Sequence, residues 1–440
     1  MQSDAETRRR YGQHRRRTLK RSEQSAWEPL RRSYDPVEVI VAANAGRIPE
    51  LVPIKTARMA ASPFGFFRGS VPLMAADLSL LPVTGVEVQI CGDAHVHNLG
   101  AFEAPDGRLI FDINDFDETV RAPWEWDVKR MAASLVLAGR EAGNSERLCK
   151  QSVLQFACSY RELMLQFSHM AAVDVARYRI HRMFGGQTGL AVLRKAEQGT
   201  PLHSLQRLTR RQRNGSWVFR TIKPVLTPLS RHAAKPILRA LAPYRETLPP
   251  ERQHVLDFYR PADVAFKVVG TGSVGTRDYV VLAFGNGPDD PLFLQVKEEP
   301  ASAYAPYVKS QGTTHEGQRV VFGQRRMQTH SDILLGWTSI AGRDYLVRQL
   351  ADHKGCIENA DLKGKGLMHY ARACGEVLAK GHARSGDACV LAGYLGSRNV
   401  FDLAMEEFAV KYADQTTKDH ERFQAAIRRG RIRAARSTYL

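Results

Sequence analysis

The chain has 440 residues, 43% of them hydrophobic and 25% charged, which is ordinary globular composition with enough apolar residues for a sizeable core. Its six cysteines (Cys91, Cys149, Cys158, Cys356, Cys374 and Cys389) are widely spaced and form no C-x-x-C pair, which excludes a disulfide scaffold and a zinc ribbon and points to a reducing, cytoplasmic compartment. No run of 18 apolar residues occurs, so no membrane span is expected, and a formal net charge of +17 favours anionic ligands.

Residues 1–35 form a basic N-terminal arm with eight Arg or Lys and no acid between Arg8 and Arg21. Dense like charge predicts a solvated or surface-bound segment, and the absence of an apolar stretch behind it argues against a secretory signal. A catalytic-loop segment is expected over 36–200. Residues 86–90 alternate as Val-Glu-Val-Gln-Ile, a strand by its period of two, ending at Cys91-Gly92-Asp93. A second strand, 108–113, follows the Asp106-Gly107 turn, and helices are predicted over 124–142 and 145–170. Residues 201–245 hold ten Arg or Lys, no acid, and five prolines. Prolines interrupt long helices, so 201–250 is read as a basic connector with a boundary inside it. A β-rich segment, 251–355, brings strands at 264–269, 278–284, 292–296 and 344–350, with a helix over 314–328. Residues 356–440 carry long helices at 366–384 and 401–428.

Two clusters carry chemistry. The first is Gly92-Asp93-Ala94-His95-Val96-His97-Asn98, followed by Asn114-Asp115-Phe116-Asp117, each just past a strand. Phosphoryl transfer needs a carboxylate at the acceptor, and an amide oxygen and second carboxylate for Mg²⁺. Asp93, Asn98 and Asp115 supply that set, with His95 orienting Asp93. Two other readings stand beside this one. Asp and Asn also cap turns, and His95 with His97 could belong to a metallophosphoesterase, although no further His/Asn ligand pattern accompanies them.

The second cluster is Gly270-Thr271-Gly272-Ser273-Val274-Gly275 between two strands, with Lys297 ending a third. Glycines let backbone N–H groups approach phosphates, and a strand-borne lysine neutralises them. A dinucleotide-binding loop would open a helix, whereas here a strand follows. Glu316 is the expected helix partner of Lys297. Arg319, Arg325 and Arg326 read as a polar helix face or as a phosphate clamp. Asp387 is a lesser rival for the catalytic carboxylate, and Asp127 is expected to tether the catalytic loop.

The spacing Gly92-Asp93-x-His95-x-x-Asn98, then Asp115-Phe116, then Asp127 resembles the catalytic segment of the aminoglycoside-phosphotransferase and choline-kinase group. That resemblance implies a mixed α+β, two-lobed protein-kinase-like fold. The glycine loop follows the catalytic loop here, so the lobe order would be circularly permuted. The helix 366–384 would then end beside the strand before Asp93. The chain is further identified as similar to the domain of unknown function 2252 family. Matching segments include Arg58-Met59 through Phe67-Arg68-Gly69, Asn114 to Glu118 with Trp124 to Asp127, Gly272 to Arg277, Gly317 to Arg325, and Tyr412 to Gln415. The expected function is ATP- and Mg²⁺-dependent transfer of a phosphoryl group to an unidentified small acceptor. A nucleotide-binding protein without turnover, a nucleotidyl-transferase or ligase, and a protein binding an anionic partner such as nucleic acid through its basic segments are the alternatives.

Overall fold

The computed structural model describes residues 4–104, 106–180, 200–268, 270–309, 312–350 and 355–435. The expected strand residue Val269 lies outside them. The architecture is mixed α+β. Strands β1 (Glu87–Ile90) and β4 (Val120–Pro123) pair antiparallel, while β2 (Leu99–Glu103) and β3 (Leu109–Ile113) form a hairpin joined by the short strand Gly355–Cys356. Long helices Glu125–Glu141, Glu146–Phe167, Lys365–Ser385 and Val400–Arg428 pack around them. One apolar cluster runs from Trp27 through Val175 and again from Tyr304 to Ala413, so early and late parts of the chain share a core. Ser385 Oγ donates to Gln89 O at 3.3 Å, which puts the end of helix Lys365–Ser385 beside β1, as expected.

The largest sheet has six antiparallel strands in the order Gly336–Ile340, Arg343–Gln349, Pro291–Glu298, Asp278–Phe284, Arg260–Lys267 and Leu226–Pro228. Side chains alternate between faces in strands. Val281, Ala283, Leu292, Leu294 and Val296 meet one apolar layer, and Val280, Leu282 and Phe293 meet another. Both layers are completed by the basic segment 201–248. Leu205 and Leu208 cover one face, and Ile237, Ala240 and Tyr244 cover the other. Strand Pro291–Glu298 is buried along its whole length, as a strand covered on both faces must be.

The N-terminal arm departs from the solvated segment expected of it. Residues Ala5–His14 form a helix, capped where the Thr7 N–H donates to Asp4 at 2.7 Å. Three of its arginines are spent on the helix Ala388–Leu395 and its cap. Arg16 donates to the carbonyls of Tyr394 (2.9 Å) and Gly393 (2.5 Å), Arg21 to Leu395 (2.7 Å), and Arg8 pairs with Asp387 (2.9 Å). The last carbonyls of a helix lack intrahelical partners and carry partial negative charge, so a run of guanidinium groups is stabilised there. Further along, Arg32 lies between Asp77 (2.5 Å) and Asp419 (2.7 Å), all three side chains nearly inaccessible, with Tyr34 and Tyr412 donating to Asp77. Arg32→Ala would leave two buried carboxylates without a cation. We expect it to lower unfolding free energy by about 3–5 kcal/mol. Urea denaturation followed by circular dichroism measures this, and an unchanged midpoint would show the network to be dispensable.

Candidate functional site

The loop after β1 is fixed from below. Asp127, in the first turn of helix Glu125–Glu141, accepts from the Cys91 N–H at 2.8 Å and the Gly92 N–H at 2.9 Å, the tether expected of it. Gly92 has φ 81°, and a Cβ there would lie 2.3 Å from the Glu118 carbonyl, so only glycine permits this turn. One helical turn after Asp127, the fully buried Arg130 grips Asp93 through Nε (2.7 Å) and Nη2 (2.5 Å). Residues three apart share a helix face, so one helix holds both the loop backbone and its carboxylate.

His95 Nδ1 accepts from the His97 N–H at 3.1 Å, leaving its proton on Nε2, 3.7 Å from Asp93 Oδ2. Burial, with Arg68 and Arg130 nearby, keeps this imidazole neutral by lowering its pKa well below the ordinary range. Burial raises the Asp93 carboxyl, and Arg130 opposes that shift. Asn98 donates from Nδ2 to the Asp93 carbonyl at 2.9 Å, which turns its amide oxygen to other use.

The glycine segment forms a turn between strands Arg260–Lys267 and Asp278–Phe284. Gly270 (φ 35°) and Gly275 (φ 95°) take the left-handed conformations that glycine allows. The turn is pinned from outside. Ile48 N–H donates to Gly275 O at 2.7 Å, Arg47 to Val274 O at 2.6 Å and Arg58 to Gly270 O at 2.7 Å.

These pieces border one cavity of about 130 Å³. Asp93, His95, Asn98, Asp115, Asp117 and Glu118 line it from one side, and Gly270, Gly272 and Ser273 from the other. Lys297 lies against Asp117, with Asp115 at 3.9 Å and Glu299 at 3.8 Å. Ser273 Oγ donates to Asp117 at 3.1 Å. Burial opposes ionisation of Asp117, but Lys297 outweighs it and holds the carboxyl below its usual range. Asp115 is raised by burial and by the charge of Asp117. Burial also works against the Lys297 ammonium, yet Asp117, Asp115 and Glu299 together push its pKa up.

Several expectations fail here. Glu316 is not the partner of Lys297. It pairs with Arg319, one turn along its own helix, while Asp117 lies against the lysine. Neither Gly275 nor Lys297 lines the cavity directly. Arg319 is no phosphate clamp: it donates to the carbonyls of Thr119 (2.7 Å), Asp117 (2.9 Å) and Pro300 (3.1 Å). Asp387 is the N-cap of helix Ala388–Leu395 and lies outside the cavity.

The opposite charge on the cavity wall escaped sequence reasoning. Arg47, Lys55 and Arg68 line it. Lys55 is 2% exposed, and its Nζ donates to Asn44 Oδ1 at 3.3 Å. Burial, with Arg47 nearby, pushes its pKa down to about 7, partly offset by Glu118. The one available signal was a lysine inside the otherwise apolar stretch Val52-Pro53-Ile54.

A charged cavity between a helix-held acidic loop and a pinned glycine turn, in a mixed α+β protein, is the class that fold and site define. The chain belongs to the family described as an uncharacterized protein conserved in bacteria, domain of unknown function 2252, whose model matches residues 47–426. No curated protein and no solved structure matches it.

Asp127→Ala would strand two buried N–H donors at a cost of about 1–3 kcal/mol each, measurable by chemical denaturation. A smaller loss would mean that water replaces the carboxylate. Lys55 predicts a pH effect. Its folded pKa lies near 7 and its unfolded value near 10.5, so the unfolded chain binds more protons between those values. The penalty for burying the ammonium is therefore full below pH 7 and fades as pH rises towards 10.5. Lys55→Met should raise stability by on the order of 2 kcal/mol at pH 6, less at pH 9. Thermal unfolding of both proteins across that range checks it, and a pH-independent difference would refute it.

Proposed function

We propose that this cavity transfers the terminal phosphoryl group of ATP to a hydroxyl or amino group of a small acceptor, on a kinase-like two-lobed fold whose lobes occur in permuted chain order. The observation that carries the reading is the meeting of two distant segments, 93–115 and 270–273, around one cavity. Each was assigned a part in phosphoryl transfer from sequence spacing alone.

In this reading Asp93 positions the acceptor and takes its proton, and His95, with its proton on Nε2, orients that carboxylate. Gly270, Gly272 and Ser273 cradle the phosphates with backbone N–H groups, and Lys297 lends positive charge behind them. The acceptor O–H or N–H bond breaks, a bond from that atom to phosphorus forms, and the bond from phosphorus to the departing ADP oxygen breaks. The oxygen-rich wall suits a hard cation. Asn98 and Asp115 would hold Mg²⁺, which supplies charge neutralisation on the phosphates. Among the described residues no group of three or more His, Cys, Asp or Glu forms a ready-made metal cage.

Binding without turnover is favoured by one observation, the grip of Arg130 on Asp93, which occupies the Oδ1 of that carboxylate. ADP formation in a single turnover separates the two. An anionic macromolecular partner would fall to Arg207, Arg210, Arg211 and Arg213, which are exposed, since arginines 8, 16 and 21 are engaged internally.

Mg²⁺ with ATP should raise the unfolding temperature of the native protein. A ligand at about 100 times its Kd adds about 2.7 kcal/mol. Asp115→Ala and Lys297→Ala should both weaken the shift. No shift in the native protein with ATP or GTP would overturn the nucleotide reading.

A further inference from the structure

The cationic wall has no part in the roles assigned above. Lys55 comes from helix Val52–Ala60, Arg68 from helix Pro63–Gly69, and Arg47 precedes both. All three line the cavity. Among the described residues, Lys55 and Arg47 form no ion pair. Arg47 donates to the Ala43 and Val274 carbonyls, and Lys55 to the single amide oxygen of Asn44. An ammonium carries three donors, and a buried charge without a counter-ion is expensive to keep. Other buried lysines have partners: Lys380 is paired with Asp112, Lys297 with Asp117, and Lys129 lies over the Phe408 ring at 4.8 Å. Lys55 instead faces a cavity with most of its donor capacity unspent.

We infer that Arg47, Lys55 and Arg68 form a subsite for a phosphate-type oxyanion of the substrate. Three converging positive groups suit a doubly charged tetrahedral anion better than a single carboxylate. Guanidinium and ammonium donors both bind phosphate, the one as a fork and the other as a point charge. The anion has two possible sources, the terminal phosphate of the nucleotide or a phosphate carried by the acceptor. The subsite depends on the phosphoryl-transfer reading for its place in the reaction, but not for its ability to bind.

The experiment is a thermal-shift titration of the full chain with inorganic phosphate and pyrophosphate, free of Mg²⁺, against chloride at equal ionic strength. Native protein should show a saturable rise in unfolding temperature. Lys55→Met, which is expected to fold at least as stably, should need about tenfold more anion or greater, as for loss of a charged hydrogen bond. Arg68→Met should behave similarly. If Lys55→Met also weakens the shift with Mg²⁺ and ATP, the subsite holds a nucleotide phosphate. If it leaves that shift intact while losing the phosphate response, the subsite serves an anionic acceptor. A phosphate response without any ATP response would remove the nucleotide reading and leave the subsite standing. No response of the native protein to either anion, or an undiminished response in Lys55→Met, would overturn the subsite.

Discussion

Two backbone N–H groups held by one buried carboxylate set the geometry of this molecule. Asp127 sits at the start of a helix whose core-facing residues are all inaccessible, so Cys91 and Gly92 are anchored to the least deformable part of the fold. The position of Asp93 follows from that anchor, and Arg130 fixes its direction one turn later. His382, from the helix Lys365–Ser385, approaches Asp127 from the other side at 3.3 Å and is itself bonded to Tyr160 at 2.8 Å. The loop therefore rests on elements drawn from both ends of the chain.

The second constraint is electrostatic. The cavity gathers carboxylates on one wall and cations on the other, and partial burial strengthens the interactions between them. Neutralisation is local and pairwise: Arg130 serves Asp93, and Lys297 serves Asp117. Asp115, with a third of its side chain open, is the carboxylate left most available to a ligand. Glu299 is wholly buried beside Lys297 with neither carboxyl oxygen hydrogen-bonded, and burial pushes its pKa well above the ordinary range.

Much of this was legible because it is written in short-range patterns. The strand 278–284 is found as Asp278–Phe284, and 86–90 as Glu87–Ile90, since alternation and turn residues bound them on both sides. Asp93, Asp115 and the glycine turn each follow a strand, Asn98 directly precedes one, and all border one cavity. What escaped depends on contacts between distant residues. The arginines of 8–21 look mutually repulsive until the carbonyls of 393–395 are placed beside them. Lys55 looks like an ordinary helix lysine until residues 47–68 fold over the glycine turn. Glu316 satisfied the expected spacing from Lys297, but local sequence does not reveal that Asp117 reaches the lysine first.

The pairing of Lys297 with Asp117 spans 180 residues, with the acid made before its base. A ribosome adding roughly 5–20 residues per second needs about 10–40 s to cover that interval. Throughout it the nascent acidic loop has no strand-borne cation to meet, and the glycine turn that closes the cavity does not yet exist. The chain's order thus delays assembly of the cavity until translation has passed its midpoint, and leaves the half-made protein to keep a cluster of carboxylates in water until their counter-charge emerges.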